Sequence, residues 1–139
     1  PELDVVTIAV KVPENIAHLH SWSVQLTREA STEEVVDAFR SSSRIALIRM
    51  EDGLTALNAV KELMADLGRP RDNLYEVALW EDLVTVRGDE VFYAYMVDNQ
   101  AIVIPETIDA IRALTARERD PGASMTKTNA ALGIRSTLV

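Results

Sequence analysis

Residues 90 to 114 constrain this chain more than any other stretch. Val91-Phe92-Tyr93-Ala94-Tyr95-Met96-Val97 is a near-continuous apolar and aromatic run, the pattern of a strand covered on both faces. It breaks at the polar step Asp98-Asn99-Gln100. Pro105 then suits a first helical turn, where its missing N–H costs little, and Glu106 and Asp109 sit near the positive end of the helix dipole. Ile108, Ile111 and Leu114 recur at helical spacing and are expected to form a core stripe. A connection of this kind holds polar side chains beside buried structure, where binding groups tend to be placed by rigid elements. The alternative is a solvated turn. Asn99 is the residue singled out for ligand contact.

The whole chain has 139 residues and is 47% hydrophobic, enough for one domain with a core of its own. The net charge of −8 argues against a nucleic-acid surface. No apolar run approaches the roughly 20 residues of a membrane span. The opening residues lack the pattern of a signal peptide, and a start at Pro1 without Met marks either processing or a piece of something longer. Lysine occurs only at positions 11, 61 and 127. An acidic surface with scarce lysine is what a high-salt cytoplasm favours; an ordinary acidic mesophile is the alternative. Cysteine is absent, which removes disulfides, thiolate metal sites and a thiol nucleophile from this stretch.

Taken in order, residues 4 to 12 (DVVTIAVKV) alternate as a strand, with Val6, Ile8, Val10 and Val12 on one face. Residues 19 to 27 (LHSWSVQLT) alternate again, and the two strands are candidate antiparallel neighbours. Ser31 and Glu34 form a capping box ahead of a helix carrying Val35, Val36 and Phe39. Residues 44 to 50 (RIALIRM) read as a short buried strand. Asp52 is expected to cap the next helix, whose stripe is Leu54, Leu57, Val60, Leu63, Met64 and Leu67, and Gly68 with Pro70 stops it. Strands follow at 74 to 80 and 83 to 87, with Gly88-Asp89 a hairpin signal before Val91. Residues 120 to 124 read as a break, and Thr126 to Ile134 as a short terminal helix. The predicted class is α+β: a mostly antiparallel mixed sheet with helices packed on one face. The opening strand, with few charges, suits a sheet face that meets another subunit, or one covered by its own helices.

Few residues carry chemistry. His18 and His20 share one face of a strand, but no third ligand of suitable type is near in sequence, and no adjacent nucleophile supports a hydrolytic triad. Structural hydrogen bonding is the favoured role for both. With 5 glycines in the chain, no Gly-rich phosphate loop occurs. Lys11 is a lone cation on a strand otherwise uncharged from Val5 to Val12. It fits either a snorkelling side chain at a sheet edge or an anion hook for a phosphate.

Several blocks carry a resemblance to a known family: Lys11-Val12-Pro13, His18-Leu19-His20-Ser21, residues 73 to 80 (NLYEVALW), residues 104 to 113 (IPETIDAIRA), and Thr128-Asn129 with Leu132-Gly133-Ile134. Together they span nearly the whole chain. The sequence resembles the C-terminal, catalytic-domain portion of archaeal type II glyceraldehyde-3-phosphate dehydrogenase. The resemblance implies a cytoplasmic enzyme that oxidises glyceraldehyde 3-phosphate with NAD or NADP and inorganic phosphate. It implies a homo-oligomer, a tetramer in the family, with no nucleic-acid or membrane partner. It implies that the thiol nucleophile and the dinucleotide-binding domain are not in this stretch, so the chain alone is inactive, and it assigns no catalytic residue or metal here. Two roles carry over. Asn99, in Val97-Asp98-Asn99-Gln100, matches an Asn that contacts the nicotinamide carboxamide in the bacterial and eukaryotic branch. Lys11 occupies a slot where that branch has a phosphate-binding Arg. The resemblance further divides the chain into a catalytic and oligomerisation portion, residues 1 to 120, and a C-terminal helix, residues 121 to 139, that packs on the cofactor domain. A ferredoxin-like small-molecule-binding regulatory or oligomerisation domain is the rival reading, suited by the βαβαβ order from Ser23 to Trp80.

Overall fold

The computed structural model describes residues 17–139. The strand expected at residues 4 to 12, its pairing, and Lys11 lie outside them. The elements are β1 (Ala17–Gln25), α1 (Thr32–Arg40), β2 (Ile45–Ile48), α2 (Leu57–Asp66), β3 (Val77–Trp80), β4 (Thr85–Arg87), β5 (Glu90–Asp98), α3 (Val103–Leu114) and α4 (Pro121–Leu132).

The long apolar run is the centre of the sheet. β5 pairs antiparallel with β1 along its whole length, from Ala17 opposite Asp98 to Gln25 opposite Glu90. Its other edge is shared: β4 takes Glu90 to Phe92, and β3 takes Tyr95 and Met96. β2 then adds in parallel to β3, giving the order β1-β5-β3-β2. The α+β class with a mixed, mostly antiparallel sheet is what the chain forms. The βαβαβ order is present along the chain, but β5 separates β1 from the parallel β2-α2-β3 unit.

Alternation sends the strand residues to two cores. Ala46, Ile48, Ala78, Trp80 and Met96 face α2, where Val60 and Met64 are fully buried. Burying each such side chain stabilises by about 1.5–3 kcal/mol. On the opposite face Ile45, Leu47, Leu79, Tyr93 and Tyr95 meet Val35, Val36 and Phe39 of α1. The helical cover is therefore divided between the faces, with α2 on one and α1 on the other, which corrects the expected packing of helices on one face.

Local signals explain most boundaries. Ser31 Oγ accepts from the Glu34 N–H at 3.1 Å while Glu34 accepts from the Ser31 N–H at 3.0 Å, the reciprocal box that starts α1. α2 ends where Gly68 takes a positive φ of 71°; its N–H donates to Ala65 O and that of Arg69 to Met64 O, a Schellman closure. Gly88, with φ of 65°, turns the hairpin between β4 and β5.

Three further expectations are corrected. Asp52 does not cap α2: it lies in a 3-10 turn over Met50–Asp52, and the cap position of α2 is Ala56, four residues later, with no side-chain cap. Residues 120 to 124 are not a break. Asp120 caps α4 through the Ala123 N–H at 2.6 Å, and Pro121 occupies the first turn, where its missing N–H is harmless. The third concerns α3. Ile111 and Leu114 do not enter the core but are 54% and 86% exposed. The helix docks instead through Pro105, Asp109 and Arg112, because Arg44 and the Ser124 and Thr128 hydroxyls lie beneath that side.

Candidate functional site

The polar step after β5 is built on Asp98, which is buried. One carboxylate oxygen accepts from the N–H groups of Gln100 at 2.9 Å and Ala101 at 3.0 Å. This is the local side-chain to backbone pattern by which Asp ends one element and starts another. The Ile102 N–H donates to Asp98 O at 3.1 Å, so the strand turns directly into the approach to α3. The second carboxylate oxygen takes the Lys61 ammonium from α2 at 2.6 Å and the Leu74 N–H at 3.4 Å. Burial pushes the Asp98 carboxyl up, but Lys61 and the Ala101 and Gln100 amides outweigh it and hold it below its usual range.

Asn99 sits at the tip of this turn, half-buried. Its Oδ1 is buried and takes no hydrogen bond. An unmet acceptor of this kind costs about 1–3 kcal/mol, so a donor from outside the described residues suits it. The β1–β5 register places His18 opposite Val97, two residues ahead of Asn99. His18 is exposed, and His20 stacks on Tyr95 with ring centres 5.0 Å apart. The first strand and the turn therefore share one end of the sheet.

A second polar cluster holds the α3–α4 pair to the body. Asp109 accepts from the hydroxyls of Ser124 and Thr128, each at 2.6 Å, and pairs with Arg44 and Arg112. Arg44, at the foot of β2, also pairs with Glu106 and donates to Asn129 Oδ1 at 3.0 Å. Burial pushes the Asp109 carboxyl up, but the two hydroxyls and the Arg44 guanidinium hold it down at about 2. A fully committed carboxylate of this kind is a fastening, not a proton carrier. The open cavity of about 440 Å³ beside Leu19, Met50, Leu57 and Trp80 has no titratable group among the described residues that line it. Among the described residues no group of three or more His, Asp or Glu is placed to hold a metal. No helix among them is long and apolar enough to cross a membrane.

The sequence singles out Asn99 but not the Asp98–Lys61 pair beneath it. An Asp one residue ahead of a turn that opens a helix is a readable signal; Lys61, 37 residues away, has no such marker. Arg44 and Asp109, 65 residues apart, were equally out of reach.

No protein-family profile matches the sequence. Relatives do. The chain is 42% identical over 134 residues to the glyceraldehyde-3-phosphate dehydrogenase of Methanopyrus kandleri, covering 96% of this chain and 38% of the relative. It is 39% identical over 132 residues to the enzyme of that name from Methanobrevibacter smithii, covering 95% and 39%. Against that of Haloarcula marismortui it is 37% identical over 139 residues, covering 100% and 39%. The chain thus spans about two-fifths of the length of these relatives. Fold and relatives together define an α+β domain similar to part of these dehydrogenases. Specifically, the chain is a homologue of the archaeal glyceraldehyde-3-phosphate dehydrogenases over part of their length, consistent with their C-terminal portion.

Proposed function

We propose that this chain is the catalytic-domain portion of a phosphorylating glyceraldehyde-3-phosphate dehydrogenase. The enzyme converts glyceraldehyde 3-phosphate, inorganic phosphate and NAD or NADP to 1,3-bisphosphoglycerate. The observation that carries the reading is identity of 34–42% to enzymes of that name over nearly all of the chain. The sequence holds no cysteine, so the thiol that forms the acyl-enzyme belongs to another part of the polypeptide. The nicotinamide coenzyme, when bound, supplies the hydride acceptor.

The contribution of this chain is positioning. Asn99 Oδ1 is a buried acceptor without a partner, which suits one N–H of a carboxamide and would fix the face that ring presents. Asp98, held by Lys61 and two amides, keeps the turn rigid beneath it. Lys11 is proposed as a cation for a substrate or phosphate oxygen. The assembly is proposed as a cytoplasmic homo-oligomer.

The test is an assay of the full polypeptide that carries this chain. NAD(P)H formation, followed by absorbance, should require both glyceraldehyde 3-phosphate and phosphate. The 139-residue chain alone should show none. Turnover by the chain alone, or a full polypeptide indifferent to the aldehyde, would overturn the reading.

A further inference from the structure

The turn between α2 and β3 holds two side chains on backbone that disfavours them. Arg71 has φ of 55° and ψ of 28°, and Asp72 has φ of 56°. This left-handed region suits glycine, and a short polar residue such as Asp tolerates it. A long arginine gains nothing from it. The surroundings enforce it. Pro70 fixes its own φ, Arg69 is anchored on Glu76 at 2.6 and 2.7 Å, and residues 73 to 76 are buried. The Asp72 N–H donates to Arg69 O at 3.1 Å and the Asn73 N–H to Pro70 O at 3.2 Å. Lys61 closes the turn from α2 by donating to Asp72 O. Strain held in place by its neighbours gathers at ligand sites.

Placement and charge agree with that reading. The register of β3 on β5, with Ala78 opposite Met96, brings the residues ahead of Val77 to the end of the sheet where β5 stops. The other cations at this end are committed: Arg69 to Glu76, Lys61 to Asp98 and Arg44 to Asp109. Arg71 is exposed and enters no ion pair or side-chain hydrogen bond among the described residues.

We propose that Arg71 is an anion-binding residue, held at this end of the sheet to receive the oxygens of a phosphoryl group. A planar guanidinium meets two such oxygens at once, which a lysine cannot do. The inference rests on the function proposed above for which phosphoryl compound is bound, not for the binding itself. A triose phosphate, inorganic phosphate and a dinucleotide share this chemistry. A carboxylate on a second copy of the chain is the competing occupant.

The experiment compares the full polypeptide with Arg71→Gly. Glycine suits φ of 55°, so thermal unfolding without ligand should occur at or above the wild-type Tm. Calorimetric titration with inorganic phosphate, and separately with the coenzyme, should show one of the two Kd values raised at least tenfold, and which one names the source. Arg71→Asn, also uncharged and suited to left-handed backbone, should show the same loss. Both Kd values unchanged would overturn the proposal. So would a Tm well below wild type in both variants, which would make Arg71 a part of the fold, or a fall in the oligomer's mass with phosphate and coenzyme binding intact, which would make it a contact between copies. None of these readouts needs turnover. Phosphate or coenzyme binding that depends on Arg71, in a protein inert toward glyceraldehyde 3-phosphate, would sink the proposed reaction and keep the site. An active enzyme whose Arg71→Gly variant binds both as the wild type does would reverse that result.

Discussion

Arg69 grips Glu76 with two guanidinium nitrogens, at 2.6 and 2.7 Å, where both side chains are buried. The pair also ties down the end of the chain. Arg69 donates to Gly133 O at 3.0 Å, and the Arg135 N–H donates to Glu76 Oε1 at 2.9 Å. Leu138 then enters the core beside α2. Removing one partner of a buried pair strands the other charge, which costs about 3–5 kcal/mol. Arg69→Ala is therefore expected to lower the urea midpoint sharply and to speed amide exchange across residues 133 to 139. The double change Arg69→Met with Glu76→Leu should recover much of the loss, since no charge is left stranded. If Arg69→Ala unfolds at the wild-type midpoint, the pair does not hold the tail.

Asp109 sets an acid limit on the α3–α4 pair. Its carboxyl is held down from 3.8 to about 2 in the folded chain. A folded-state value below the unfolded one means that the stabilisation is complete above about pH 4 and is lost as pH falls toward 2. Asp109→Asn replaces charge-assisted bonds to Arg44, Ser124 and Thr128 with weaker ones, a loss of about 1.5–3 kcal/mol at neutral pH. Urea titrations at several pH values should show the wild type and the variant converging as the solution becomes acid. A gap that stays constant over that range would rule out this role.

Asn99→Ala, in the full polypeptide, should weaken coenzyme binding or slow hydride transfer. It should leave stability unchanged or slightly raised, because it removes a buried acceptor that the fold does not satisfy. That combination separates a binding role from a structural one. An unchanged coenzyme KM and kcat would reject the contact. A large loss of stability would show that the amide serves the turn.

What could be read from the sequence was mainly local. Ser31 and Glu34 are three residues apart, Gly68 directly follows the C-cap Leu67, and Gly88-Asp89 falls between two alternating runs. Each signal acts on its own backbone, so no tertiary information is needed. Asp120-Pro121 is as readable a start as Ser31, but a Pro-Gly pair also signals a break, and the two cues compete. Asp52 failed as a cap because its residue enters a 3-10 turn closed by Gly53 at φ 82°. The apolar period of α3 gave the helix correctly and its orientation wrongly. Periodicity reports that one face is apolar; which face meets the body depended on Arg44 and α4, far away in sequence. Asn99 was legible as a polar interruption in an apolar strand, but its unmet Oδ1 needed coordinates.

Salt should stabilise this chain. The exposed pairs Arg28–Glu34, Arg40–Asp37 and Arg49–Glu51 are of a kind worth about 0–1 kcal/mol each, so screening them removes little. The tight pairs Arg69–Glu76 and Lys61–Asp98 are buried or nearly so, and mobile ions screen such pairs weakly. Repulsion within a net charge of −8 is spread over the surface, and it is strongly damped once the screening length drops from about 10 Å at 0.1 M to about 3 Å at 1 M. The balance favours the folded state as KCl is added. Thermal unfolding followed by circular dichroism from about 0.1 to 2 M KCl should show Tm rising throughout, most steeply at the low end where the screening length changes fastest. A flat profile would remove the high-salt interpretation of the scarce lysines, and a falling one would mean that the surface ion pairs outweigh the repulsion.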